Sequence, residues 1–248
     1  MEIITVENVT KQYDKSSVVS SIKFNVEKGK IYGFVGPNGA GKTTTIKLIL
    51  GMIKPTEGSI SILGDDISVN RERILKHIGA LVEKPAFYGE LNAYDNMHIV
   101  ALMKGASVGS ITELLKIMGL ENTANKKVKK FSLGMKQRLG IAMALLGDPQ
   151  IVILDEPING LDPIGIHEMR KLILSLKNER SMTVLVSSHI LSELEMIADE
   201  LIIINAGQII YCGSLDAFRK EFESDSLENA YIKIISASGG EHQWQQNG

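Results

Sequence analysis

Hydrophobic and polar positions follow two different periods along this chain. Short apolar runs that fit buried strands occur at residues 30–35, 78–82, 151–154, 183–187 and 201–204. Alternating positions predict an edge strand at residues 2–9 and further strands at 18–26, 59–64 and 208–212. Between them lie segments of helical period. Asp65 and Asp66 are predicted to begin a loop that leads to a helix at residues 71–77, and Asp162 and Pro163 would form the N-cap and first turn of a later helix. Strands that alternate with helices predict an α/β fold with a mostly parallel sheet, preceded by an antiparallel β part.

Residues 84–149 differ from the rest because they carry helical periodicity and few β-branched runs. Apolar residues recur three and four positions apart at 108–118 and 139–146, and Gly119 and Gly147 suit the ends of these helices. We therefore predict a helical subdomain (84–149) inserted into a discontinuous core (1–83 and 150–218). Residues 219–248 would form a C-terminal extension whose polar end, from Ser236 on, is mobile.

The composition narrows the class of protein. The 248 residues are 44% hydrophobic and carry a net charge of -2, which argues against a protein built mainly to hold nucleic acid. The single cysteine, Cys212, excludes an internal disulfide framework and fits a reducing cytosol. The N-terminal residues lack signal-peptide features, and no apolar run approaches the ~18 residues of a membrane-spanning helix. We expect that another chain would hold this protein at any membrane.

The first candidate site is a glycine-rich loop between an apolar strand and a helix. It consists of Gly36, Pro37, Asn38, Gly39, Ala40, Gly41, Lys42, Thr43 and Thr44. Glycines let the backbone curl around an anion, and the helix N-terminus that follows carries a partial positive charge. In such a phosphate-binding loop (P-loop), Lys42 would contact the β- and γ-phosphates and the Thr43 hydroxyl would ligate Mg²⁺. The loop predicts binding of a nucleoside triphosphate.

A second candidate site follows the apolar run at 151–154. Asp155 is placed to ligate the Mg²⁺ that bridges the phosphates, and Glu156 to polarise an attacking water as general base. A pair of loop carboxylates means little by itself, but the upstream P-loop and the adjacent Pro157 favour the functional interpretation. Both sites lie at C-terminal strand ends, where ligands bind in parallel sheets.

Three further features have an ordinary structural interpretation when each is taken alone. Tyr13, in a polar loop, would usually be a packing residue, although its position ahead of the P-loop also allows stacking on an adenine ring. His189, which follows a strand, would usually be structural. The lysines among residues 126–130 most simply form a solvated charged face.

The order of these motifs resembles that of the ATP-binding cassette (ABC) ATPase subunits over about residues 2–218. Residues 131–138 (Phe-Ser-Leu-Gly-Met-Lys-Gln-Arg) resemble the family's signature segment, usually Leu-Ser-Gly-Gly-Gln, in which Ser132 and Gly134 match. Ser132 is a suitable N-cap for a helix that directs its N–H groups at an anion. Residues 159–162, which end on Asp162, resemble the D-loop that crosses the family's dimer interface, and His189 resembles its switch histidine.

The resemblance implies an ATPase that binds ATP and Mg²⁺ on a RecA-like P-loop core. The implied catalytic residues are Lys42, Glu156 and His189, and Tyr13 would stack on adenine. Two copies, identical in our prediction, would close head to tail, so that Ser132, Gly134 and Asp162 of one copy meet the ATP held by the other. The expected partner is a membrane permease on separate chains, not nucleic acid, which places the protein in the cytoplasm on the inner face of the membrane.

Glu83 departs from the family, which usually has glutamine at the joint between core and helical insertion. A glutamate only accepts hydrogen bonds when it is ionised, so it adds negative charge near the phosphates, where it could ligate Mg²⁺ or orient water. The surrounding residues 78–88 resemble those of bacitracin and lantibiotic (antimicrobial-peptide) resistance exporters. This resemblance implies export of an antimicrobial peptide.

Other classes of protein share parts of this pattern. A soluble ABC-type ATPase acting on ribosomes would carry two cassettes, and one acting on DNA would carry long heptad repeats, whereas this chain has one P-loop and no sustained heptads. A GTPase needs Asn-Lys-x-Asp, and residues 125–128 lack the final aspartate. A small-molecule kinase would need neither the signature segment nor the histidine.

Overall fold

The structure of the protein, a computed structural model, describes residues 1–14, 16–83, 85–123, 125–221 and 227–237. The tail that we expected to be mobile lies outside the described residues from 238 on. Across the ranges that are described, no helix combines the length and the apolar character that crossing a membrane requires.

Strands and helices alternate through the described ranges as follows. The strands are β1 (Glu2–Tyr13), β2 (Ser16–Glu27), β3 (Ile31–Val35), β4 (Glu57–Ile62), β5 (Asp65–Asp66), β6 (Ile78–Leu81), β7 (Ile151–Asp155), β8 (Thr183–Ser188), β9 (Glu200–Asn205) and β10 (Gln208–Ser214). The helices are α1 (Lys42–Ile49), α2 (Ile67–Leu75), α3 (Ala93–Lys104), α4 (Ser110–Ile117), α5 (Leu133–Leu145), α6 (Pro163–Asn178), α7 (Leu191–Glu195), α8 (Leu215–Glu221) and α9 (Leu227–Ala237).

The central sheet has the spatial strand order β10-β9-β3-β8-β7-β6. The pairs from β9 to β6 are parallel, and β10 pairs antiparallel with β9. Every residue of β3, β7 and β8 is buried, which explains why the sequence shows these strands as nearly continuous apolar runs. The predicted α/β fold is confirmed. Because β3, β8 and β7 are parallel neighbours, the segments that follow them meet at one edge of the sheet.

The second sheet is antiparallel, with the order β2-β1-β4-β5. The prediction of an edge strand at residues 2–9 is wrong, because β1 pairs with β2 on one side and with β4 on the other, and it continues to Tyr13. Alternating apolar residues indicate which face of a strand is buried, but they do not indicate whether both of its backbone edges are paired. Tyr13 therefore ends a strand instead of lying in a polar loop.

Two predicted element boundaries also differ from the structure. Asp65 and Asp66 form the short strand β5, where the sequence indicated the start of a loop. The helix expected at residues 71–77 begins earlier, at Ile67, because the Asp66 carboxylate accepts a hydrogen bond of 2.7 Å from the backbone N–H of Ser68. Non-helical torsion angles at Asn70 interrupt this helix.

Helices α3, α4 and α5 lie within residues 84–149 and share one apolar cluster with the parallel sheet. Met97, Ile111 and Leu139 of the helices are buried in the same cluster as Val152 and Val184 of β7 and β8. The treatment of residues 84–149 as a separate subdomain, and of residues 219–248 as an extension, stays a prediction.

Lys104, the last residue of α3, connects this helix to the end of α5. Its ammonium group donates to the backbone carbonyls of Met143, Ala144 and Leu146, at 3.1, 3.1 and 3.3 Å. The last carbonyls of a helix lack intrahelical partners and carry the negative end of the helix dipole, so a cation stabilises them. Burial lowers the pKa of the Lys104 ammonium.

We expect Lys104→Met to lower the free energy of unfolding by about 1–2 kcal/mol, because it removes a charged donor from three carbonyls. Urea unfolding followed by circular dichroism measures the change. Lys171→Met on the exposed face of α6 is the matched control. An equal loss in both variants would contradict the capping role of Lys104.

Candidate active site

The P-loop connects β3 to α1 and is packed too closely for side chains at two glycines. A Cβ on Gly36 would lie 2.3 Å from the carbonyl oxygen of Ile204. Gly41 has φ 107°, and a Cβ there would lie 3.0 Å from the carbonyl oxygen of Val18. Gly41 is the N-cap of α1 and offers no side-chain cap, and the first turn contains no acidic residue. The positive end of the helix dipole therefore faces the adjacent cavity without a capping or acidic side chain from α1 itself.

This P-loop cavity has a volume of about 500 Å³. Its lining comes from β2, from the loop, from α1 and from the segments after β7 and β8. It consists of Val18, Pro37, Asn38, Gly39, Gly41, Lys42, Thr43, Thr44, Glu156, Asn159 and His189. Two members of the predicted loop, Gly36 and Ala40, are buried and do not line it. Ala40 is 3% exposed, and its N–H donates to the Pro37 carbonyl at 3.1 Å. The fold thus brings the loop, Glu156 and His189 to one cavity.

Lys42 lies folded back on the loop, where it is 7% exposed. Its Nζ donates to the carbonyl oxygens of Gly36 at 2.7 Å and Pro37 at 3.3 Å, and lies 3.5 Å from Glu156 Oε1. These contacts keep a buried cation paired and hydrogen-bonded at the cavity wall. The ammonium can exchange the carboxylate for a phosphate oxygen without leaving the loop.

Asp155 ends β7 and is fixed by two hydroxyl groups. Its Oδ2 accepts a hydrogen bond of 3.0 Å from Thr43 Oγ1, and its Oδ1 accepts one of 2.6 Å from Ser187 Oγ. Ser187 Oγ also accepts from the backbone N–H of Glu156 at 2.9 Å. Sequence reasoning missed Ser187 as a site residue, although a hydroxyl at the end of the strand beside β7 is a usable signal.

Glu156 has φ 50°, an uncommon conformation for a residue with a side chain, and its carboxylate lies between two cationic or titratable groups. Oε1 faces Lys42, and Oε2 is hydrogen-bonded to His189 Nδ1 at 2.8 Å. The carboxylate is thereby oriented into the P-loop cavity, which is the arrangement that a general base acting on a bound water needs.

Thr43 and Asp155 form a donor set that suits Mg²⁺. A hydroxyl and a carboxylate are hard oxygen donors, and here they are already in contact. The described residues contain no group of three or more His, Cys, Asp or Glu side chains that could hold a metal ion. A magnesium ion that kept these two protein ligands would therefore take its remaining oxygens from nucleotide phosphates and water, as is usual for this ion.

Glu83, the third predicted metal ligand, lies beyond the end of β6 and is bound to a lysine. Its Oε1 is 2.6 Å from Lys47 Nζ, its side chain is 61% exposed, and its φ is 57°. The hydrogen bond that Lys47 donates to Glu83 is the main reason why the pKa of Lys47 is raised. Glu83 shares a second cavity, of about 900 Å³, with Thr43 and Asp155. Its role toward a metal stays a prediction.

Ser132, Gly134 and Asp162 lie away from the P-loop cavity. Ser132 caps α5 by accepting from the N–H of Met135 at 3.3 Å, and Asp162 caps α6 by accepting from the N–H of Gly165 at 2.8 Å, so both predicted N-caps are confirmed. These residues line a separate surface cavity of about 370 Å³. None of the three lines the P-loop cavity.

Tyr13 is 47% exposed at the end of β1 and does not line the P-loop cavity of the described structure. Lys11 Nζ lies 5.0 Å from the centroid of its ring and donates to the carbonyl oxygen of Lys54 at 2.8 Å. A ring that is held on one side and open to solvent suits stacking of a flat base, so adenine stacking stays our prediction for this residue.

We expect Tyr13→Leu to weaken ATP binding about tenfold, because stacking of a base on an aromatic ring contributes ~1–3 kcal/mol. Tripolyphosphate, which has no base, should bind both proteins equally. Titration calorimetry with the two ligands separates the effects, and Tyr94→Leu, on α3, is the control. Equal losses for ATP and tripolyphosphate would contradict stacking.

The fold and the site together define a P-loop nucleotide-binding protein of the ATPase kind. The chain belongs to the ABC transporter family, whose sequence pattern matches residues 19–159. The predicted family membership is confirmed.

Relatives and solved structures agree with this assignment. The bacitracin transport ATP-binding protein BcrA of Bacillus licheniformis is 52% identical over 209 residues, which is 84% of this chain and 68% of the relative. The lantibiotic transport ATP-binding protein SrtF of Streptococcus pyogenes is 45% identical over 234 residues, 94% of this chain and 97% of the relative. The structure of an ATP-binding subunit of an ABC transporter has a TM-score of 0.83 at 31% identity, and the match covers 94% of this chain and 99% of that one.

A dimeric ATP-binding cassette in a post-hydrolysis state, bound to ADP and phosphate, has a TM-score of 0.78 at 26% identity. The match covers 86% of this chain and 99% of that one. The chain is therefore the ATP-binding subunit of an ABC transporter.

Proposed function

We propose that this chain binds ATP with Mg²⁺ and hydrolyses it, and that hydrolysis drives export of an antimicrobial peptide through a membrane permease. The observation that carries the proposal is the placement of Glu156. Its carboxylate is held between Lys42 and His189 at a cavity that the P-loop and the N-terminus of α1 also line. Binding groups for a triphosphate and a base for water thus face the same space.

In the binding step the P-loop N–H groups and Lys42 hold the phosphates. Lys42 then gives up its contact with Glu156, because the triphosphate carries more negative charge than one carboxylate shared with His189. Thr43 and Asp155 would hold Mg²⁺, which neutralises charge that develops on the phosphates. Ser187 fixes Asp155 from the opposite side, so this carboxylate needs no reorientation when nucleotide arrives.

In the hydrolytic step Glu156 accepts a proton from the attacking water. Its release from Lys42 leaves the carboxylate free on one oxygen, while His189 still orients the other. The backbone N–H of Glu156 stays bound to Ser187 at the end of β8, so the base is positioned by the sheet itself.

Two copies of the chain are proposed to close head to tail over two ATP molecules. The support is the position of Ser132 and Gly134, which lie at the N-terminus of α5 but away from the P-loop cavity of their own chain. A helix N-terminus binds anions well. We therefore propose that these residues contact the γ-phosphate of the ATP that a second copy binds. Asp162 would lie in the same interface.

The proposals of a permease partner and of a peptide cargo are supported by the names of similar proteins. The similar proteins from Bacillus licheniformis and Streptococcus pyogenes are named for bacitracin and lantibiotic transport. We propose that this chain likewise acts at the inner face of the cell membrane, with a permease on separate chains, and that the transported molecule is a peptide antibiotic of this kind.

The test uses Glu156→Gln, which is expected to hold ATP without turnover. The variant is purified with ATP and Mg²⁺ from detergent-solubilised host membranes, and the proteins that accompany it are identified by mass spectrometry. A multi-spanning membrane protein that is lost in the parallel Lys42→Met purification supports the transporter. Ribosomes or DNA in its place would instead favour an ATPase that acts on a macromolecular assembly.

A second measurement addresses the cargo. Deletion of the gene for this chain in its host should lower the inhibitory concentration of bacitracin or of a lantibiotic. The wild-type gene should restore the inhibitory concentration, and a gene with Glu156→Gln should not. Unchanged inhibitory concentrations for both classes of peptide would contradict the proposed cargo and leave the ATPase unaffected.

A further inference from the structure

Lys47 and Glu83 form an ion pair at the edge of the cavity that contains the proposed magnesium ligands. Nζ and Oε1 are 2.6 Å apart, and the two side chains are 30% and 61% exposed. The two residues are 36 positions apart in the chain, on α1 and after β6. The pair is therefore a tertiary contact and not a local helix pair.

Lys47 lies on the same side of α1 as Thr43, which lines this cavity. It lies four residues after Thr43, and residues four apart project from the same face of a helix. Thr43 contacts Asp155, whose charge also acts on Lys47. The helix that presents Lys42 and Thr43 to the nucleotide thus presents Lys47 to Glu83 one turn later.

The charges around the cavity show what this lysine balances. Asp155, Glu156 and Glu83 contribute three carboxylates to its lining. The lysines of the lining are Lys129, which is paired with Glu90, and Lys136, while Lys42 contacts Glu156 from the P-loop cavity. A triphosphate in the adjoining P-loop cavity, which shares Thr43 and Glu156 with this one, adds further negative charge. An unpaired Glu83 would repel a metal-free nucleotide and would compete with its phosphates for Mg²⁺.

We propose that Lys47 is a positioning residue that neutralises the Glu83 carboxylate and holds it against α1, away from the nucleotide phosphates. The inference rests on the proposed ATP site. It explains how the chain accommodates an acidic residue at this joint: the compensating charge is anchored on the helix that begins at the P-loop. Loss of Lys47 should free Glu83 to turn toward the phosphates and the metal.

The test is a double-mutant cycle on nucleotide binding, in the full chain, with the nonhydrolysable ATP analogue AMP-PNP. Titration calorimetry gives one dissociation constant in EDTA and one in Mg²⁺. The constant in EDTA divided by the constant in Mg²⁺ reports how strongly binding depends on the metal. We expect Lys47→Met to raise this ratio about fivefold, the upper range for loss of an exposed ion pair. In the Glu83→Gln background the same substitution should change it less than twofold.

Lys47→Arg is the conservative variant and should keep the ratio within twofold of wild type, because it preserves the charge. Melting temperatures verify that all variants fold, and Lys47→Gln replaces Lys47→Met if the latter is unstable. Equal changes in both backgrounds would overturn the inference, since Lys47 would then act on the nucleotide directly. No change in either background would overturn it as well. A wild-type protein that binds no AMP-PNP would overturn the proposed ATP site together with it.

Discussion

Glu156→Gln is expected to lower ATP turnover by about 10²–10⁴-fold and to leave ATP bound. Glutamine keeps the shape of the side chain and can still contact His189, but it cannot accept a proton from water at neutral pH. Lys42, Thr43 and Asp155 are untouched, so the contacts that hold the nucleotide remain.

The measurement is steady-state phosphate release together with an ATP dissociation constant for the same protein. Glu72→Gln, an exposed carboxylate on α2, is the matched control and should hydrolyse ATP at the wild-type rate. Phosphate release by Glu156→Gln within about threefold of wild type would exclude Glu156 as the general base.

The second large effect is expected for Lys42→Met, which should raise the dissociation constant for ATP by about 100-fold. Hydrogen bonds to charged groups contribute ~1.5–3 kcal/mol, and every 1.4 kcal/mol changes affinity about tenfold. The substitution also leaves Glu156 without its cationic neighbour, so an uncompensated carboxylate faces the phosphates. Both effects weaken binding.

Titration with ATP and Mg²⁺ measures this change, and Lys28→Met, which removes an exposed lysine between β2 and β3, is the control. A melting temperature is needed as well, because Lys42 also bonds the Gly36 and Pro37 carbonyls and its loss can loosen the loop. ATP affinity within about fivefold of wild type in a folded protein would contradict the assigned role.

The central sheet and much of the site were predictable because their signals are local in the chain. The buried strands β3, β7 and β8 are continuous apolar runs, and Lys42, Asp155 and His189 each lie in a segment that follows such a run. Parallel strands end at the same edge of a sheet, so their shared location follows from topology.

The antiparallel sheet includes features that the sequence pattern did not predict. Apolar and polar residues alternate at 2–9, as the prediction of a strand requires. However, β1 is an internal strand, because β2 pairs with one of its edges and β4 with the other. The residues of β1 do not indicate this pairing. The early start of α2 depended on Asp66 as N-cap, a residue that the pattern assigned to a loop.

The sequence by itself determined the family, the α/β fold, the P-loop and the carboxylates after β7, because a motif and a hydrophobic period are properties of neighbouring residues. Only the tertiary structure decided that Thr43 contacts Asp155, 112 residues away, that Ser187 fixes both Asp155 and Glu156, and that Lys47 binds Glu83. These contacts depend on strand register and on how α1 packs beside β7. Register and packing are set by the whole core, so no local pattern records them.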